Sequence, residues 1–127
     1  EVKKLFNSDI KDFITKAEII QNAKVINNNI CLAYTKTETD NINIVIAQAA
    51  DELLNIKEVE ASFVLARKDD RVFISARSLG NINVHVLMEN LGGGGHRDMA
   101  GAQLDTSLEK AYEMVKDTIQ TCIKEEE

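Results

Sequence analysis

The chain has 127 residues, a formal net charge of −6, 44% hydrophobic residues and 28% charged residues. These values are typical of one globular domain, and no segment is apolar over the roughly 20 residues that a membrane-spanning helix needs. The negative charge argues against non-specific binding of long nucleic acids, which relies on many Lys and Arg contacts to phosphate. It still allows a small anionic ligand at a local basic site.

Cys31 and Cys122 lie far apart, each within an apolar pattern, so we predict buried thiols rather than a disulfide or a metal site. The sequence begins at Glu1 without a methionine or an apolar signal region. We therefore expect it to be a piece of a longer chain, whose targeting or anchoring segments lie elsewhere.

The first half of the chain predicts two helices and a strand. Ser8 is a candidate cap for a helix that runs to about Gln21, and Ile30 to Thr35 reads as a buried strand after a turn of three asparagines. Apolar residues at helical spacing define the first buried helix face: Ile10, Phe13, Ile14, Ala17 and Ile20. The same spacing predicts a second helix, with its buried face at Ile42, Val45, Ile46, Ala49, Leu53 and Ile56.

The second half predicts a hairpin followed by a short helix. Two strand-like runs, Ala61 to Lys68 and Val72 to Ser78, are joined by Asp69-Asp70-Arg71. Asn83 can cap a short helix that ends at Gly92.

The end of the chain predicts a short strand near Ala102 to Leu104 and a last helix, which Thr106 and Glu109 open as a capping box. Its apolar face comprises Leu108, Ala111, Tyr112, Val115, Ile119 and Cys122. The order of elements predicts an α/β fold, with one mixed β-sheet packed with helices and a glycine-rich loop between the third helix and the last strand.

Four consecutive glycines, Gly92, Gly93, Gly94 and Gly95, are followed by His96. Successive N–H groups without Cβ atoms can converge on an anion, and the histidine adds a donor beside them. The alternative is that Gly92 caps the preceding helix and the other glycines form a slack connector. In the first case Gly94→Val should hinder both the backbone turn and the approach of a phosphate.

Alternation in the second hairpin strand places Ser75 and Arg77 on one face, near the end of the strand. An arginine there can bind a phosphate through two charge-assisted hydrogen bonds. Taken alone, Arg77 is more simply a surface arginine lying over the sheet, unless it meets the glycine segment in space.

The remaining polar residues are less specific. His85 and Glu89 lie four positions apart and suggest a solvated pair. Arg67, Lys68 and Arg71 form either a solvated hairpin end or a basic rim that attracts an anion. The chain has two histidines and no spaced His/Asp/Glu cluster for two divalent ions, so we expect it to bind no metal cofactor itself.

Three segments together resemble the DHH-associated domain of bacterial phosphodiesterases: residues 75–80, 82–84 and 92–96. The resemblance covers about residues 30–124. We expect residues 30–127 to form this domain and residues 1–29 to form a helical linker that leads into it. Within this family, residues 50–54 and 58–64 resemble the cyclic-di-AMP phosphodiesterase subgroup. That subgroup often has Asn-Ala-Ala after the histidine, whereas Arg97 to Gln103 here is closer to other members of the family.

The resemblance implies a chemistry shared between two domains. A preceding DHH domain would hold two metal ions, typically manganese, and activate water, while this domain binds a cyclic dinucleotide or a short oligonucleotide. The substrate-binding residues it implies are Ser75, Arg77, Gly92, Gly93, Gly94, Gly95 and His96. The parent would be anchored in the bacterial membrane with this domain in the cytoplasm and not touching the membrane, and it would be free to form a homodimer. Alternatives are the same domain of an oligoribonuclease or single-strand exonuclease, and a nucleotide sensor without enzymatic activity.

Overall fold

The computed structural model describes residues 2–126, and side chains within residues 10–123. In this range the chain forms one six-stranded mixed sheet and four helices, which confirms the predicted α/β class. The helices are α1 Val2–Gln21, α2 Ile42–Leu53, α3 Val84–Glu89 and α4 Leu108–Glu126. The strands are β1 Lys24–Ile26, β2 Ile30–Thr35, β3 Ala61–Lys68, β4 Arg71–Ser78, β5 Gly94–His96 and β6 Met99–Leu104.

The strand order in the sheet is β1-β2-β3-β4-β6-β5. The β2–β3 pair, which α2 connects, is parallel, and the other four pairs are antiparallel. Strand β5 is therefore an edge strand beside β6, and the glycine segment lies at one border of the sheet.

Each face of the sheet buries its own core. On the front face, which carries α1 and α2, Val64 and Ala66 pack with Val45 and Ile46 of α2. On the back face, Phe63 and Ile74 pack against α3 and α4. Alternation along β4 therefore puts Phe73, Ser75 and Arg77 on the front face, as the sequence predicts.

Helix α1 departs from the prediction at its start and on its buried face. It begins at Val2, so Ser8 lies inside the helix and does not cap it. The residues buried against the domain are Thr15 and Ile19, whereas most of the predicted face is exposed, with Phe13 66% exposed. The spacing of apolar residues identifies the helix, but it cannot predict which face of the helix is buried, because that depends on how α1 packs against α2.

Two turns depend on left-handed backbone. Asn27 and Asn28 have φ of 52° and 71° and connect β1 to β2, a pairing that the sequence reading missed. Strand β1 has only three residues, too few for an alternation signal. In the β3–β4 hairpin the turn is the pair Asp69-Asp70, with φ of 53° and 67°, a geometry that aspartate tolerates.

The predicted boundary between a linker and a domain at residue 29 stays a prediction. Within residues 1–29, β1 belongs to the sheet and α1 packs against α2. Cys31 and Cys122 are both buried and not joined by a disulfide, and burial raises the pKa of the Cys31 thiol.

The cap of α4 is Ser107 rather than Thr106. The Ser107 hydroxyl accepts a hydrogen bond from the Lys110 N–H at 3.1 Å, and the Ser107 carbonyl accepts one from Ala111 at 2.9 Å. The predicted capping box is therefore wrong, since the third helical position is Lys110 and not Glu109. The buried face of α4 is as predicted, although Tyr112 is only partly buried.

We expect Ser107→Ala to lower the free energy of unfolding by about 1 kcal/mol, the usual cost of losing a side-chain cap. Thr106→Ala is the matched control and should change it by less than about 0.5 kcal/mol. Urea unfolding of both variants tests the assignment, and an equal loss in the two would contradict it.

Candidate functional site

The glycine segment begins as the end of α3. Gly92 has φ of +86°, and its N–H donates to Glu89 O at 3.0 Å while the Gly93 N–H donates to Met88 O at 2.8 Å. These bonds satisfy carbonyls at the helix end in the manner of a left-handed glycine cap. The helix itself ends at Glu89, three residues before the predicted end.

The rest of the segment is neither an anion nest nor a slack connector. Gly94 to His96 form β5, which pairs with β6 through Gly94↔Gly101, Gly95↔Ala100 and His96↔Met99. In an extended strand, successive N–H groups point to opposite sides, so they do not converge on one anion. The predicted loop is thus a hairpin arm at the edge of the sheet.

The glycines of this segment differ in what a Cβ at each position would contact. A Cβ on Gly93 would lie 2.0 Å from Gly101 O, and one on Gly95 would lie 2.5 Å from Ala100 Cα. Both contacts are with backbone, which no side-chain rotation can relieve. Gly94 has no atom within 4 Å of a Cβ and no left-handed φ, so the expectation that Gly94→Val hinders a backbone turn is wrong.

The register of three strands aligns the candidate residues in rows on the front face. Arg77 of β4 pairs with Met99 of β6, which pairs with His96 of β5. In the next row, Ser75 pairs with Gly101, which pairs with Gly94. Neighbouring strands lie about 4.8 Å apart, so Arg77 and His96 are about 10 Å apart at their Cα atoms.

The second row contributes little side-chain volume, because two of its three positions are glycine. Beside it lies an open cleft of about 590 Å³ between α2 and the sheet. This volume is within the range of small-molecule sites. Its lining includes the predicted Ser75, Gly92 and Gly93 and the candidate rim residue Arg71. It also includes residues that were not predicted to belong to the site: Asn43, Ile46, Phe73, Gly101 and Gln103.

The register brings Arg77 and His96 to the same face, at the row next to this cleft, although neither lines it. Of the other predicted residues, Gly94 lies in the same row as Ser75 and Gly101, which we call the glycine row. A Cβ on Gly95 would point at Ala100. Only strand pairing could reveal Gly101 and Gln103, since their sequence positions alone carry no signal.

Arg77 is held in place by the protein. Its Nε donates to Asp51 Oδ1 of α2 at 2.8 Å, and its Nη1 donates to Ala76 O at 3.1 Å. The Arg77 side chain is 12% exposed, whereas that of Asp51 is 60% exposed. Arg77 is therefore not a freely solvated surface arginine, and a ligand would meet a guanidinium that Asp51 already orients and partly neutralises.

The other basic residues divide between the cleft and the solvent. Arg71 lines the cleft and contacts Gln103 Oε1 at 3.0 Å and Asp105 Oδ1 at 3.1 Å. Arg67 pairs with Asp70 and Lys68 donates to Asp40 O, so both are engaged at the hairpin end. Only Arg71 of this group can act as a basic rim of the cleft.

His85 and Glu89 form the predicted exposed pair on α3, with Nε2 and Oε2 3.4 Å apart. Within the described residues, no group of three or more His, Cys, Asp or Glu side chains could hold a metal ion. The same residues contain no helix long and apolar enough to cross a membrane.

Comparison with known proteins identifies the family to which this chain belongs. Residues 27–125 match the DHHA1 domain family, and the chain therefore belongs to that family.

The relatives that the chain resembles include cyclic-di-AMP phosphodiesterases. The chain is 42% identical over 122 residues to the cyclic-di-AMP phosphodiesterase GdpP of Bacillus subtilis, and 37% identical over 112 residues to the cyclic-di-AMP phosphodiesterase PdeA of Listeria monocytogenes. These alignments cover 93% and 87% of this chain but only 18% and 17% of the relatives. The chain thus spans less than a fifth of their length.

Among solved structures, an exopolyphosphatase-related protein from Bacteroides fragilis matches with a TM-score of 0.76 at 22% identity. The match covers 87% of this chain and 34% of that protein. This likeness shows the shared fold.

Proposed function

We propose that this chain is the substrate-binding domain of a cyclic-di-AMP phosphodiesterase, and that its front-face rows and cleft bind the nucleotide. The observation that carries the proposal is the 42% identity, over 93% of the chain, to a cyclic-di-AMP phosphodiesterase. The placement of Arg77, His96 and Ser75 on one face of the sheet supports it, because these side chains can donate hydrogen bonds to phosphate oxygens.

The binding chemistry follows from this arrangement. Arg77 supplies a fixed positive charge whose orientation depends on Asp51. His96 is exposed, and its ring can donate to a second phosphate oxygen or to a base. The glycine row between β4 and β5 lets a ligand approach the sheet closely, since no side chain projects from Gly94 or Gly101.

Hydrolysis requires a second domain in this proposal. The described residues do not fit a two-metal site, so the metal ions, typically manganese in this family, would belong to a DHH domain of the same parent chain. We propose that the parent is membrane-anchored, that this domain lies on its cytoplasmic side, and that the parent is able to form a homodimer.

We expect the purified chain to bind cyclic-di-AMP but to show no turnover with Mn²⁺ or Mg²⁺, because its described residues contain no ligand group that could hold two ions and orient a water. Isothermal titration measures binding, and chromatography of the reaction mixture detects hydrolysis. Turnover above a buffer blank would contradict the proposal that hydrolysis requires a second, metal-binding domain.

The same titration separates the proposed function from its alternatives. Short oligoribonucleotides or single-stranded DNA binding more tightly than cyclic-di-AMP would favour a nuclease parent. Turnover by the complete parent would exclude a sensor without enzymatic activity.

A further inference from the structure

Met99 occupies the middle of the row that carries two of the candidate hydrogen-bond donors of the site, Arg77 and His96. It pairs with Arg77 on one side and with His96 on the other, and its side chain is 50% exposed. A single exposed apolar side chain is ordinary on a protein surface. Met99 differs from such residues because both of its neighbours in the row are polar, and because two of the three residues in the adjacent row are glycines.

A ligand that contacts both Arg77 and His96 has to cross Met99. The two outer residues are about 10 Å apart at their Cα atoms, and the Met99 strand lies halfway between them. Phosphate gains nothing from a thioether, which is at best a weak acceptor. An aromatic base does gain, because methionine sulfur is polarisable and makes favourable contacts with aromatic rings.

We propose that Met99 is the residue on which a base of the substrate rests, and that it makes the site selective for nucleotides over phosphodiesters without bases. The inference rests on the proposed function, since it takes the front-face rows as the nucleotide site. Arg77 and His96 would then bind the polar parts of the ligand, and Met99 would recognise an aromatic group between them.

The test uses the complete phosphodiesterase and three substrates: cyclic-di-AMP, the linear dinucleotide pApA, and a dinucleotide of the same backbone without bases. Met99→Ala should lower kcat/KM for the two base-bearing substrates about 3- to 10-fold, the range expected for loss of a sulfur–aromatic contact. The base-free substrate should change less than about 2-fold. Met99→Leu should recover only part of the loss, because it restores apolar contact area but not the polarisable sulfur.

Val86→Ala is the matched control, since Val86 is also an exposed apolar residue, 44% exposed, but lies on α3. It should leave all three substrates unchanged. An equal loss on all substrates in Met99→Ala, or no loss on any, would overturn the selectivity role.

Failure of the proposed function would give a different result from failure of the Met99 role, because the wild-type enzyme would then not hydrolyse cyclic-di-AMP. The effect of Met99→Ala on pApA and on the base-free dinucleotide, measured as turnover or as binding, would still decide the role of Met99.

Discussion

Gly93→Ala is expected to destabilise the protein by about 3 kcal/mol or more, while Gly94→Ala, one residue further on, should be neutral or stabilise it by up to about 1 kcal/mol. The new Cβ at position 93 would lie 2.0 Å from Gly101 O and 2.7 Å from Ala102 Cα. Relief requires β6 to move, and forced backbone shifts in packed regions usually cost 1–3 kcal/mol, occasionally more. A domain of this size has roughly 5–15 kcal/mol of stability, so the loss is a large share of it.

At Gly94 the added Cβ meets no atom within 4 Å, and φ is not left-handed. Replacing a glycine with alanine under these conditions reduces the entropy of the unfolded chain and stabilises by up to about 1 kcal/mol. Urea unfolding of the two variants checks the contrast. Equal stabilities would mean that the backbone at Gly93 lies further from the backbone of Gly101 and Ala102 than it does in the structure.

Under the proposed function, His96→Ala in the complete parent protein should lower kcat/KM for cyclic-di-AMP about 5- to 150-fold, which corresponds to the roughly 1–3 kcal/mol lost with a hydrogen bond to a charged group. Its thermal stability should not change. The His96 side chain is exposed and makes no hydrogen bond or ion pair among the described residues, so its removal should leave the fold intact.

His85→Ala is the control for this variant. The chain has two histidines, and His85 pairs with Glu89 on α3, away from the front-face rows. It should retain wild-type efficiency, whereas equal losses in the two variants would remove His96 from the site.

Gly94→Val completes the series because it separates binding from folding. Valine suits an extended strand, and position 94 offers open space, so stability should be close to wild type. A side chain projecting from the glycine row should nevertheless obstruct a ligand seated there. Wild-type kcat/KM in this variant and in His96→Ala together would contradict the proposed site.

Much of the secondary structure could be predicted from local patterns. Strands β2 and β3 have the predicted bounds, and Asn83 caps α3 by accepting from the N–H groups of His85 and Val86. These features depend on neighbours in sequence, such as alternation or a short side chain before a helix. The family resemblance likewise rests on short segments and is confirmed by the match over residues 27–125.

The faces and pairings needed the tertiary structure. The exposed apolar stripe of α1 and the role of each glycine depend on what lies opposite, which no local pattern records. Four adjacent glycines look equivalent in sequence, yet Gly92 caps a helix, Gly93 and Gly95 admit a neighbouring backbone, and Gly94 faces open space. Strand register alone brings Met99 between Arg77 and His96, because Arg77 lies about twenty positions before both in the sequence and becomes a neighbour of Met99 only when β4 and β6 pair.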